Sequence, residues 1–489
     1  MRGRHYLMVR SPGKRTIVIK TITTKTLSAA LAYMFLGLST AMAGDLESEL
    51  DTLRQANRIA GLYLVTAHDG RLNSLNLGVT DHATAEPFTG NHYIRLGSVS
   101  KLFLGLAALR LQEKGDIQLD RPLPEYIREL PFTNQWQATH PVTLAQLIEH
   151  SAGLPDMSRP EWAITRAMTL QEAFSVDPKS RVLQWPPGLH SSYSNSGAGI
   201  ASYVLEQTTR QPFEATIQKE VFDYLGLSTA TYFPGDDVQR MLIKGYNTDG
   251  ITEIPYWHTL YRAFGGINIQ VKELPRLLLF FVNGGQLDGN QLFSPEQMER
   301  MYLPTTTVAA RSGLTYGYGL GLYQYSRRGV SFVGHGGDAD GYLAHIAFSP
   351  TLKKGYIVVI NAFNYKAMRR IRERVEESLL TGEMRQDPPP AFAMSRSGIT
   401  DVLGLYNQAS YRFESQGALE IFETEDALFT RVGSRISRLI PVSSTHFRRQ
   451  NEPTATIAIT QENGLTYYQS DDGNYIKQQL PGSHPDSAP

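Results

Sequence analysis

The chain has 489 residues, no cysteine, and 47 basic against 47 acidic residues. Length alone suggests about three domain-sized units. Seven of the basic residues fall in the first 43, and the 446 that follow are mildly acidic at −7, which excludes an electrostatic footprint for nucleic acid.

Residues 1–43 read as a secretory signal peptide. A basic lead precedes the apolar run Leu27 to Leu38, and Ala41-Met42-Ala43 forms a small-x-small cleavage site. Met8 is an alternative start. The apolar run is too short to span a bilayer, since twelve helical residues reach only about 18 Å. An uncleaved anchor is the competing reading. Absence of cysteine fits an oxidising compartment. An exported protein, periplasmic or secreted and bacterial, with no stable membrane span after signal removal, is the expectation.

Leu46 to Ala56 reads as a short amphipathic helix. Gly61 to Ala67 and Leu72 to Val79 flank an Asp-Gly pair and predict a hairpin. Residues 98 to 114 read as a helix that is apolar on every side, hence buried. From 111 to about 310 helices and long loops are expected. Strand-like runs return at Leu320 to Tyr325, Tyr342 to Phe348 and Tyr356 to Asn361, and Lys366 to Leu380 reads as a helix. The predicted class is α+β: an antiparallel sheet built from both ends, flanked by helices, with an inserted all-helical lobe. A Pro-rich linker spans 384–399. Residues 400–481 alternate in short segments with turns at Asn463-Gly464 and Asp472-Gly473, which predicts a C-terminal all-β barrel. Residues 482–489 form a polar tail, and the unit before the linker spans 44–383.

Three short motifs occur in order. They are Ser98-Val99-Ser100-Lys101, Tyr193-Ser194-Asn195 and His335-Gly336-Gly337. Singly each is weak, and Ser11-Pro12-Gly13-Lys14 also fits the first. A serine hydroxyl needs a base within hydrogen-bond reach. Lys101 lies nearly one helical turn from Ser98, on the same face. A snorkelling surface lysine is the bland alternative. Tyr193 offers a second base or proton relay, and Asn195 can present its amide to substrate and to Lys101. His335 sits among glycines just before the run Tyr342 to Phe348, where glycines let substrate approach the backbone closely; a glycine-rich hairpin with an incidental histidine is the bland alternative. Scattered histidines without a His-x-x-Glu-His pattern give no reason to expect a metal, and no cofactor is called for.

This set resembles the serine β-lactamases and penicillin-binding proteins, and most closely the class C-like branch with its esterase, D-aminopeptidase and DD-peptidase relatives. Leu147-Ile148-Glu149-His150-Ser151-Ala152-Gly153-Leu154-Pro155 and Gly317-Tyr318-Gly319-Leu320-Gly321 support it, over roughly residues 45 to 383. The resemblance implies Ser98 as acyl-enzyme nucleophile, with Lys101 and Tyr193 sharing proton transfer. It implies an oxyanion hole from the backbone N–H groups of Ser98 and Asp338, and a substrate wall from Asn195, His335, Gly336 and Gly337. The barrel looks like the lipocalin-like barrels that follow some of these peptidases. One departure matters: His335 stands where β-lactamases and most DD-peptidases carry a lysine, and Asp338 and Asp340 make that wall more negative.

The expected function is an exported serine hydrolase acting on a small-molecule or peptide substrate, an ester or an amide, through a Ser98 acyl-enzyme. The alternatives are a DD-peptidase or β-lactamase acting on cell-wall peptides or β-lactams, and a non-catalytic ligand-binding member of the fold. The oligomeric state is left open.

Overall fold

The computed structural model describes residues 45–478 apart from 69, 163, 165, 410–416, 426 and 472. The expected signal peptide and tail lie outside the described residues. Residues 45–56 are helical, where the amphipathic pattern places a helix.

Six antiparallel strands form the main sheet: β1 (Gly61–His68), β2 (Arg71–Gly78), β3 (Tyr323–Arg327), β4 (Val330–Ala339), β5 (Tyr342–Ser349) and β6 (Lys354–Ile360). Their order is β2-β1-β6-β5-β4-β3. Strands from both ends of the segment therefore meet at its centre, with Leu62 opposite Ile360 and Ala67 opposite Gly355. Every residue of β5 and β6 is buried, and these strands read as continuous apolar runs. Strand β2, at the edge, is exposed or half-buried along its length.

Four longer helices serve this body: α1 (Lys101–Glu113), α2 (Asn195–Thr209), α3 (Leu274–Val282) and α4 (Tyr365–Leu379). Helix α3 packs on β1, β5 and β6, and α4 packs on β6. Glu376 of α4 is fully buried. Its carboxylate accepts Tyr325 and Tyr356 hydroxyls at 2.8 and 2.7 Å and the Arg327 Nε–H at 2.7 Å. Three donors on two strands thus compensate a carboxylate taken out of water and tie helix to sheet.

The inserted lobe is mostly helical but not wholly so. Tyr93–Arg95 pairs with Asn268–Gln270, and Gly245–Tyr246 with Glu253–Ile254. These ladders are too short to show a periodic pattern, so the expectation of helices and loops misses them.

The C-terminal part is a closed barrel of eight antiparallel strands: β7 (Gly404–Gln408), β8 (Leu419–Thr424), β9 (Ala427–Val432), β10 (Arg435–Pro441), β11 (His446–Arg448), β12 (Ile457–Glu462), β13 (Leu465–Ser470) and β14 (Gly473–Lys477). Each pairs with its chain neighbour, and β7 with β14 closes the ring. Asn463 and Gly464 both take positive φ, 52° and 74°, as a two-residue hairpin turn demands. The barrel has its own core, including Tyr406, Ile421, Phe447, Ile457 and Tyr468. Helix α5 (Arg396–Val402) belongs to that core, although the linker reading extends to residue 399. Ser395 caps it by accepting the Gly398 N–H at 3.1 Å. A small apolar contact of Leu314 and Tyr316 with Ala458 joins barrel to body.

Candidate active site

Ser98 lies in the 3-10 turn Gly97–Ser100 that leads directly into α1. Gly97 has φ +52°, and a Cβ there would sit 2.4 Å from the Asp338 carbonyl oxygen of β4. A Cβ on Gly337 would come within 1.9 Å of the Leu96 carbonyl oxygen. The two glycines let the nucleophile turn lie directly on the backbone of β4. This corrects the reading of the third motif as a place of close substrate approach: residues 334–337 lie inside β4, the first strand of the β4–β5 hairpin, and Gly334 and Gly337 face neighbouring backbone rather than open space. Glycine punctuation reads as a turn by default, and only the packing shows close backbone approach.

Lys101 is the first residue of α1 and is 2% exposed. Its Nζ donates to Ser98 Oγ at 3.0 Å, Asn195 Oδ1 at 2.8 Å and the Phe264 carbonyl at 3.0 Å. Three acceptors match the three protons of an ammonium. The snorkelling alternative fails, because this amine is enclosed. Its Nζ also lies 4.7 Å from the Tyr193 ring centroid, a cation–π distance.

Asn195 opens α2, where the Ser194 hydroxyl caps the helix by accepting the Gly197 N–H at 3.1 Å. Asp156 orients the Asn195 amide. It accepts the Asn195 backbone N–H at 2.8 Å and the side-chain Nδ2 at 3.3 Å, so Oδ1 turns toward Lys101. Tyr193 packs against His150, with centroids 4.2 Å apart and ring planes tilted by 36°, and His150 accepts the Ser194 N–H at 3.2 Å through Nδ1. His335 is 3% exposed, with its Nε2 2.8 Å from the Tyr318 hydroxyl. Its Nδ1 faces the Gly336 carbonyl, which can only accept. The neutral ring therefore carries its proton on Nδ1 and accepts from Tyr318. Its ring stands 6.2 Å from that of Tyr193.

Ser98 and Asn195 open into a cavity of about 270 Å³, walled by Trp162, Trp257, Phe264 and Tyr365 and by the carboxylates Asp156, Asp338 and Asp340. Asp340 is exposed at its surface, but desolvation by the protein around it raises its pKa above the usual aspartate value; Arg95 opposes that shift and Asp338 adds to it. Arg95 is 1% exposed and stacks 4.3 Å from the Tyr256 ring centroid. A second cavity, of about 560 Å³, is lined by Tyr193 and Tyr318 on the body side and by Gln469 and Asn474 of the barrel.

Ser98, Lys101, Tyr193 and Asn195 thus converge, with Asp338 at the cavity rim and His335 against Tyr193. Asp156, His150 and Phe264 complete the set without having been singled out individually. Two of them had a visible signal: His150 lies within the stretch Leu147 to Pro155, and Asp156 follows it. Phe264 contributes through a carbonyl, which no sequence pattern marks. Among the described residues no cluster of His, Asp and Glu is arranged to hold a metal.

A family model described as beta-lactamase matches residues 46–380, more than half of the chain. The chain belongs to the beta-lactamase family. Penicillin-binding protein 4 of Amycolatopsis lactamdurans is 23% identical over 318 residues, covering 62% of this chain and 81% of that protein. A beta-lactamase of Yersinia enterocolitica is 27% identical over 197 residues, covering 40% of this chain and 48% of that one. Among solved structures, the octameric penicillin-binding protein homologue from Pyrococcus abyssi superposes with a TM-score of 0.58 at 22% identity. That match covers 89% of this chain and 100% of the other. SurE with D-Leu gives 0.59 at 19% identity, over 90% and 100%. Such coverage runs past residue 380, so the shared fold includes part of the region that carries the barrel. Members of this family are serine hydrolases, and the antiparallel sheet with its helical lobe is the family's fold.

Proposed function

We propose that this protein is an exported serine hydrolase that cleaves an ester or an amide through an acyl-enzyme on Ser98, as an esterase or D-aminopeptidase does. One observation carries the reading: an enclosed Lys101 amine, 3.0 Å from Ser98 Oγ, with its other contacts to Asn195 and Phe264 already made. In its neutral form that amine has a lone pair to take the serine proton. Ser98 Oγ then bonds to the substrate carbonyl carbon, and the carbonyl π electrons move to oxygen. Backbone N–H groups of Ser98 and Asp338 are assigned to that oxyanion. Lys101 and Tyr193 return the proton to the leaving oxygen or nitrogen as its bond to carbon breaks. Water gives a proton to the same pair as its oxygen bonds to the acyl carbon of Ser98; the carbon–Oγ bond then breaks, the pair returns the proton to Ser98 Oγ, and the acid leaves. Export rests on the pattern of residues 1–43.

The cavity favours neutral or cationic substrates. Among the described residues its lining has aromatic faces and carboxylates and no lysine or arginine. A substrate carboxylate there meets repulsion of about 1–4 kcal/mol per charge, depending on solvation. The relatives named penicillin-binding protein and beta-lactamase favour the second reading, a DD-peptidase or β-lactamase. One experiment separates them. Purified protein is labelled with a fluorescent phosphonate, mapped by mass spectrometry, and assayed on p-nitrophenyl esters, D-aminoacyl amides, a D-Ala-D-Ala peptide and nitrocefin. We expect the adduct on the peptide carrying Ser98 and turnover of esters or aminoacyl amides. An adduct on another serine removes the mechanism. A D-Ala-D-Ala peptide cleaved faster than its C-terminal amide reverses the substrate class.

A further inference from the structure

We propose that the barrel is a working part of the active site, because Gln469 and Asn474 hold the segment that presents Tyr193. The proposal rests on the acyl-enzyme reading above. Gln469 on β13 and Asn474 on β14 are direct cross-strand partners. Both amides are buried, at 4% and 8% exposure. Asn474 Nδ2 donates to the Ser191 carbonyl at 2.6 Å. Gln469 Nε2 donates to the Leu189 carbonyl at 3.2 Å, while its Oε1 accepts the Ala309 N–H at 2.7 Å. Leu189 and Ser191 stand four and two residues before Tyr193.

A third link runs through Arg311. One nitrogen donates to the Gly188 carbonyl at 2.9 Å, and the other pairs with Glu462 of β12 at 3.1 Å. Three carbonyls within four residues are therefore capped, two by barrel amides and one by Arg311 of the body, which Glu462 of the barrel holds in turn. From the other side, Gly188 donates to the Ser151 carbonyl at 2.8 Å and Ser192 to the His150 carbonyl at 2.6 Å. The segment is clamped between the stretch containing His150 and the barrel. Barrel and body also touch through an apolar contact of Leu314 and Tyr316 with Ala458. Burying two primary amides beside that contact carries a desolvation cost unless each makes its hydrogen bonds. Besides the bond from Gln469 Nε2 to Asn474 Oδ1 at 3.5 Å, these amides bond to the Tyr193 segment and to its neighbour Ala309. Gln469 and Asn474 are positioning residues: they act through Tyr193, whose ring must stay within reach of Lys101 Nζ.

The test measures inactivation of the full chain by a fluorescent phosphonate, separating kinact from KI. Asn474→Leu and Gln469→Leu are each made alone and in a Tyr193→Phe background, and Ser312→Ala, which removes a body–barrel contact to His446 away from the segment, is the control. Melting temperature and circular dichroism report folding, and the milder Asn474→Ser replaces any variant that fails to fold. The expected result is a fall in kinact of about tenfold to hundredfold with KI within about twofold, as for a misplaced catalytic group. In the Tyr193→Phe background the same changes should cost less than about twofold, and Ser312→Ala should cost nothing. An unchanged kinact in both variants overturns the proposal. So does an equal loss in both backgrounds, which would mark a role outside Tyr193. A wild-type chain without an adduct on Ser98 is a different outcome: it overturns the acyl-enzyme reading, and the proposal falls with it.

Discussion

The body and the barrel are both antiparallel, yet they are assembled on opposite principles. In the barrel every strand pairs with its neighbour in the chain, and only the β7–β14 closure is distant. In the body β1 pairs with β6, nearly 300 residues later, across the whole helical lobe. Loop closure over that distance costs entropy that only the finished core repays. The barrel can therefore be lost or gained as a unit, whereas the body needs both of its ends. The chemistry sits in the body, where α1, α2 and β4 are brought together only by completing that long-range sheet.

The sharpest way to break this contrast is at the nucleophile. Ser98→Ala should lower turnover by about 10⁴-fold or more while leaving both cores intact. Steady-state kinetics and a thermal melt measure the two halves of that statement, and an unchanged rate would move the site elsewhere. Next in size, Lys101→Ala and Tyr193→Phe should each cost about 10²- to 10⁴-fold, and the double variant should be little worse than either. Fully additive losses in log rate would show that the two side chains do not share one proton path.

A chain ending at Met384 tests the contrast directly. Its far-UV spectrum and cooperative melt should survive, since the body and barrel cores are separate clusters. Its rate should fall by about tenfold to hundredfold as the Tyr193 segment loses its barrel contacts. Removal of residues 57–78 should instead unfold the body, because β6 loses β1, one of its two partners, and the core β1 helps to build. A body that survives that deletion, or collapses with the first, inverts the comparison.

The smallest effect concerns Asp340. A substrate ammonium is attracted only by the ionised carboxylate. Because desolvation raises the Asp340 pKa, the preference for cationic over neutral substrates should decline as pH falls, beginning at a higher pH than for a fully solvated aspartate. Asp340→Asn should shrink that preference by about twofold to fivefold and flatten its pH dependence. A preference that keeps its pH slope in the variant assigns the effect to Asp338 or Asp156.

The amino-acid sequence by itself determined the order of the three motifs, the sheet built from two ends, the buried helix after Ser98 and the change of texture at the barrel. These follow from local signals: apolar periodicity, Asp-Gly and Asn-Gly turns, and the one-turn spacing of Ser98 and Lys101. Tertiary structure alone decided the rest. It placed the Gly-rich third motif inside β4, because glycines at 334 and 337 answer a backbone packed against them. It gave α5 to the barrel core, since a seven-residue helix is too short to announce itself beside prolines. It recruited Asp156, the Phe264 carbonyl, Gln469 and Asn474, residues from 156 to 474 whose roles exist only once the chain has closed. Spacing along a chain reports on what one helix or hairpin can do. The partners of Lys101 and of the Tyr193 segment come from elements hundreds of residues apart, and only the folded core brings them within hydrogen-bond reach.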